Sequence, residues 1–93
     1  MENKFLIHVK DDYVGVATGD IKKGELVKGV YLDTGKDISV QALEDVSLGH
    51  KISLKDIKKG DKIIEYNEPI GQATTDIKKG EHVHVHNIKT MRW

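Results

Sequence analysis

The sequence predicts a small all-β domain, and three observations carry that prediction. Short runs of β-branched and aromatic residues alternate with turn residues along the whole chain. A turn hexapeptide recurs as Asp20-Ile21-Lys22-Lys23-Gly24-Glu25, Asp56-Ile57-Lys58-Lys59-Gly60-Asp61 and Asp76-Ile77-Lys78-Lys79-Gly80-Glu81. The only helical hint is short, around Val40 to Val46.

About eight strands are expected, in this order: Phe5 to Val9, Tyr13 to Ala17, Leu26 to Leu32, Ile38 to Ala42, Lys51 to Leu54, Lys62 to Tyr66, Ile70 to Thr74 and Glu81 to Asn87. Asn67-Glu68-Pro69 marks a hairpin over Lys62 to Thr74, with proline where no ladder donor is lost. The hexapeptides are spaced 36 and then 20 residues apart, so they are reused turns and not a solenoid period. In each, the aspartate is expected to accept from backbone donors two or three residues on, and the isoleucine to plug into the core. The glycine permits a left-handed exit into the next strand, and the lysines face water. The lysine pairs leave one alternative, a basic rim for a carboxylate substrate.

Residues 1–93 are expected to form one domain, which at this size buries roughly 60–70% of its unfolded surface. With 38% of residues apolar and 5% aromatic, the core is modest and burial against a partner subunit would help it. Fifteen basic and fifteen acidic residues cancel, which argues against a nucleic-acid partner, since such binding needs a cationic field. With no cysteine, disulfides, thiolate metal sites and cysteine nucleophiles drop out. Neither a signal peptide nor a membrane span is expected, and the chain reads as cytoplasmic.

The chemistry-bearing pattern is Glu81-His82-Val83-His84-Val85-His86-Asn87. On an extended strand His82, His84 and His86 project together and Val83 and Val85 face the other way. Adjacent imidazoles then originate about 7 Å apart, near enough for a pair to converge on one metal ion or anion. His8 has no partner motif and reads as a surface residue, and Asp11-Asp12 reads as a polar turn. The singly spaced glycines form no phosphate loop, and no serine sits in a nucleophile elbow.

Four segments in order add a resemblance: Asp12-Tyr13-Val14-Gly15-Val16-Ala17, Leu48-Gly49-His50-Lys51-Ile52-Ser53-Leu54-Lys55-Asp56-Ile57, Pro69-Ile70-Gly71-Gln72-Ala73-Thr74, and Gly80 to Asn87. Together they resemble the small N-terminal module of the altronate and galactarate dehydratase family, within the SAF superfamily of β-clip folds. The resemblance covers nearly the whole chain. His82, Tyr13 and Gly15 depart from the family's more usual choices.

The resemblance implies a free-standing small subunit of a sugar-acid dehydratase, since the chain stops at Trp93 where a fusion would continue. The isolated chain would be inactive, its site completed by a large catalytic subunit. The related sulfolactate sulfo-lyase, which eliminates sulfite instead of water, has the same arrangement. Gly49, His50 and Lys51 match the family's Gly-His-Lys element, and His84, His86 and Asn87 its His-x-His-Asn element. These give His50, His84 and His86 as catalytic residues, with Lys51 and Asn87 as substrate-binding residues. His84 and His86 are also metal ligands toward a divalent ion, iron or manganese, bound mainly with the large subunit. A complete site within this chain is not expected, although carboxylates such as Glu81 and Asp45 are present.

Dehydrating a sugar acid requires a base for the proton beside the carboxylate, an acid for the departing hydroxyl, and a cation or strong donors on the carboxylate. Histidine can fill the first two roles near neutral pH or ligate a metal when neutral, and Lys51 can hold the carboxylate by charge. Structural alternatives stay open beside each. His50 could bond a carbonyl, and His84 and His86 could contact substrate or a subunit, or line a solvated strand face. Two further functions compete: a stand-alone sugar-acid binding module, homo-oligomeric or not, and a purely structural interaction domain.

Overall fold

A computed structural model describes residues 3–90. Among these residues nine strands form: β1 (Asn3–Ile7), β2 (Val14–Ala17), β3 (Leu26–Tyr31), β4 (Asp37–Gln41), β5 (Lys51–Ser53), β6 (Lys62–Glu65), β7 (Glu68–Ala73), β8 (His82–Val83) and β9 (Ile88–Thr90). There is no helix among the described residues, so the segment from Val40 to Val46 is strand end and bend. No helix among them is long and apolar enough to cross a membrane.

Six strands make one sheet in the order β4-β3-β1-β2-β5-β8, and three make a second in the order β6-β7-β9. β1 runs parallel to β3, and every other pairing is antiparallel. Phe5 anchors the larger core at full burial, with Ile7, Val27, Val40 and Ile52 around it. Its ring lies over Gly29 on the neighbouring strand, where any β-carbon would overlap it. Close approach, not turn geometry, explains glycine there. A second cluster, Val14, Ile57, Ile63, Ala73, Ile77 and Val83, draws on both sheets.

The expected hairpin is β6–β7, closed by Tyr66 and Asn67 at φ 57° and 66°. Two consecutive left-handed residues give the turn whose twist matches the strands it joins. Buried Asp12 ties this tip down by accepting from the Tyr66 amide at 2.7 Å, while its other oxygen accepts from the Val9 amide at 3.3 Å in the polar turn read from the sequence.

The repeated hexapeptides behave as expected in their isoleucines, glycines and lysines. Ile21, Ile57 and Ile77 are buried, Gly24, Gly60 and Gly80 lie near φ +90°, and all six lysines are exposed. Their aspartates do something else. Asp56 accepts from the Lys79 amide at 3.0 Å and Asp76 from the Lys59 amide at 2.8 Å, so two turns cap one another. Between them Ile57 and Ile77 exchange backbone bonds at 2.7 and 2.8 Å.

Asp20-Ile21-Lys22-Lys23-Gly24-Glu25 makes the same crossed pair with Asp45-Val46-Ser47-Leu48-Gly49-His50. Asp20 accepts from Leu48 at 2.9 Å and Asp45 from Lys23 at 2.8 Å. The latter segment is thus a fourth, degenerate copy of the turn. In the other three, the sixth residue is a carboxylate that caps the third residue's amide: Glu25 on Lys22, Asp61 on Lys58 and Glu81 on Lys78. In the fourth copy the sixth residue is His50, whose own amide donates to Ser47 at 2.9 Å.

Candidate functional site: four imidazoles on two turns

The segment expected as one strand from Glu81 to Asn87 is broken. Its ladder with β5 ends at Val83, after the Glu81 carbonyl has accepted from Ser53 at 2.9 Å and His82 and Val83 have paired with Ile52 and Lys51. The cause is Asn87, whose Oδ1 accepts from the His84 amide at 3.0 Å while its Nδ2 donates to the His82 carbonyl at 2.8 Å. A side chain that satisfies the backbone locally removes the need for a ladder partner. The chain closes a turn, with the Asn87 amide returning to the His84 carbonyl at 3.0 Å. Val83 is buried in the core, but Val85, expected on the same face as Val83, is 81% exposed.

The histidines converge nonetheless, because the turn does what strand alternation was expected to do. His82 stands at ring-centroid distances of 5.5 Å from His84 and 5.2 Å from His86. His50 arrives from the fourth hexapeptide turn, 5.0 Å from His82 and 4.6 Å edge-on from His84. Its Nδ1 lies 2.9 Å from His82 Nε2, a hydrogen bond between two imidazoles. His82 is therefore the hub that touches all three others, although it departs from the family's more usual choice. Glu44 completes the support by accepting from the His82 amide at 2.9 Å, and no sequence signal pointed to it.

Burial, then the neighbouring His84, His50 and His86, hold the His82 ring below the ordinary imidazole range, with Glu44 pulling the other way. Neutral imidazoles are what a base or a metal ligand requires. Among the described residues, however, no group of three or more His, Cys, Asp or Glu side chains is arranged to hold a metal ion.

Lys51 follows His50 but its ammonium lies 3.9 Å from Glu65, whose other oxygen is 3.7 Å from His8. His8 is exposed, as expected, and its ring also meets Tyr66 at 5.3 Å between centroids. Asn87 is buried, with both ends of its amide engaged in the turn.

Curled sheets closed by crossed, mutually capping turns, with an open cluster of imidazoles carried by one of those turns and by the Asn87 turn, define a small all-β module of the β-clip kind. The chain belongs to the altronate/galactarate dehydratase SAF domain family, which residues 3–91 match. It is 34% identical over 94 residues to the (2R)-sulfolactate sulfo-lyase subunit alpha of Chromohalobacter salexigens, covering 100% of both chains. It is 43% identical to the altronate dehydratase of Bacillus subtilis over 97% of this chain and 17% of that enzyme. To the (2R)-sulfolactate sulfo-lyase subunit alpha of Paracoccus pantotrophus it is 44% identical over 69% of this chain and 96% of the relative. The chain thus spans the full length of one curated relative and about a sixth of the dehydratase it matches.

Proposed function

We propose that this chain is the small subunit of a sugar-acid dehydratase, a carbon–oxygen lyase of the altronate/galactarate type, whose active site a large subunit completes. The observation that carries this is the convergence of His50, His82, His84 and His86 on an open face, in a chain of that dehydratase domain family.

His50 takes the proton beside the substrate carboxylate, and the C–H electron pair moves into an enediolate. Hydroxide leaves the neighbouring carbon with a proton from His84 or His86, and the resulting enol becomes a 2-keto acid. Lys51 supplies positive charge to the carboxylate in exchange for its long contact with Glu65. Asn87 serves binding by holding the turn that presents His84 and His86. A divalent iron or manganese ion would polarise the carboxylate. The large subunit would supply most of its ligands, with whichever of His84 and His86 does not give the proton adding an imidazole from this chain.

Sulfite elimination is a second reading, favoured by the end-to-end match to a sulfolactate sulfo-lyase subunit. The chemistry at this chain's histidines is the same: a proton leaves beside a carboxylate and the leaving group departs from the next carbon.

The test is recovery of the tagged chain from its own cells, followed by assays on altronate, galactarate and sulfolactate. A large chain co-recovered with turnover of a sugar acid is expected, and turnover of sulfolactate alone would select the second reading. Recovery of this chain alone, binding sugar acids without turnover, would replace both with a stand-alone binding module.

A further inference from the structure

We propose that His82 is a positioning residue for His50: it holds the His50 ring by Nδ1, so that Nε2 is the nitrogen presented to the substrate. The role of His50 as base rests on the lyase function proposed above, whereas the positioning itself rests on geometry.

The backbone of His82 is fixed on every side. Its amide donates to Glu44 at 2.9 Å, its carbonyl accepts from Asn87 at 2.8 Å, and it pairs with Ile52 across the sheet. The ring it carries therefore has little freedom, and its Nε2 meets His50 Nδ1 at 2.9 Å. The His50 backbone is held too, its amide donating to Ser47 at 2.9 Å and its carbonyl accepting from Ala17 at 2.8 Å, but its side chain occupies the sixth position where the other hexapeptides place a capping carboxylate. A ring at that position without a capping bond needs another partner to choose its rotamer, and His82 is that partner.

The hydrogen bond also couples the tautomers of the two rings, and the base role of His50 selects one of the two arrangements. In a neutral imidazole one nitrogen donates and the other accepts, and the bond made by one fixes the state of the other. For His50 to receive a proton at Nε2, its own proton must sit on Nδ1 and be donated to His82 Nε2. When the substrate C–H bond breaks and the Nε2–H bond forms, His50 becomes cationic and its Nδ1–H bond to His82 becomes charge-assisted, hence stronger. His82 gains no proton in this step.

Long-range proton–nitrogen NMR of the full chain tests the geometry with His82→Phe, which keeps a ring and loses the acceptor, and His82→Gln, which can still accept. In the native chain and in His82→Gln, His50 should show a single Nδ1-protonated tautomer; in His82→Phe it should become a mixture. A His50 spectrum identical in all three proteins would overturn the proposal, as would an Nε2-protonated His50 in the native chain. Should His82→Phe fail to fold, the native and His82→Gln spectra still decide it. In the assembled complex, His82→Phe should lower kcat by about 10²-fold with KM little changed, the scale expected of a misplaced reacting group, and His82→Gln should restore much of it. A single Nδ1-protonated tautomer together with a fully active His50→Ala complex would leave the positioning intact and remove the lyase role of His50.

Discussion

The α-carbon of Gly80 rests against the carbonyl oxygen of Gln41, so closely that a β-carbon there would overlap it. The same glycine lies at φ +92° and sends its carbonyl to the Leu43 amide at 2.9 Å. It thereby seats the turn before β8 against the end of β4, two residues before the histidine hub. Gly80→Ala should cost about 1–2 kcal/mol for the left-handed backbone, and roughly 1–3 kcal/mol more for the overlap. Gly60→Ala, at the same φ but with open space around it, should show only the first part. Urea midpoints of the two variants measure the difference; equal losses would mean that the contact with Gln41 relaxes freely.

His84 and His86 are exposed, and neither belongs to the core. Alanine at either position should leave the urea midpoint unchanged and lower turnover of the assembled complex by about 10²-fold or more, the range of a lost acid–base or ligand group. Full activity in both variants would make the turn a scaffold only.

What the sequence disclosed, and what it withheld, follows from how local each cause is. The hexapeptide turns were legible because their aspartate, isoleucine and glycine each answer a local demand at a fixed position. Their crossed pairing was not, since Asp56 and Lys79 lie 23 residues apart and nothing local marks the match. The fourth turn was hidden because Asp45-Val46-Ser47-Leu48-Gly49-His50 shares only aspartate and glycine with the others. The break after Val83 was hidden because Asn87, matched to a family motif, also carries the strongest local turn signal in that segment. The histidines converged for a reason other than the one expected, and His82, the ring at odds with the family pattern, became their centre.

Asn87 makes two hydrogen bonds from a buried side chain. Its replacement by alanine should cost about 2–3 kcal/mol, the sum of two such bonds with their partners left poorly satisfied. The loss should appear in the isolated chain, in the urea midpoint, before any substrate is present. Asn87→Asp, which keeps the acceptor and loses the donor, should recover part of it. An unchanged midpoint in Asn87→Ala would shift Asn87 from turn holder to substrate contact.

The low pKa of His82 has a stability consequence of definite sign. An unfolded chain takes up a proton at this histidine near pH 6.5, whereas the folded ring, held lower by burial and by His84, His50 and His86, resists it. The unfolded state then binds more protons, so stability falls as pH drops below the unfolded value and is fully present above it. Glu25, whose carboxyl Lys4 holds down from its ordinary 4.5, contributes only at lower pH. Urea midpoints at about pH 7.5 and about pH 5.5 bracket the imidazole range, and His82→Gln should flatten the decline between them. An equal slope in that variant would assign the acid sensitivity to other groups.

Val85 sits between His84 and His86 at the tip of the turn with 81% of its surface exposed. A lone exposed valine is ordinary on a protein surface; this one shares its turn with two proposed site residues. If a large subunit closes the site over His84 and His86, it must come within contact of the residue between them, and Val85 then passes from water into the interface. A carboxylate forced into that contact would be desolvated without a partner, at a cost that outweighs most single contacts. Val85→Asp should therefore reduce recovery of the large subunit by at least about 10-fold, equivalent to about 1.4 kcal/mol, while leaving the urea midpoint of the isolated chain intact. Leu32→Asp is the matched control, since Leu32 is 56% exposed but lies with His8 and Tyr66 in a different depression of the surface. Undiminished recovery with Val85→Asp would place the histidine turn outside the subunit contact, and the large chain would then have to reach the imidazoles from the His50 side.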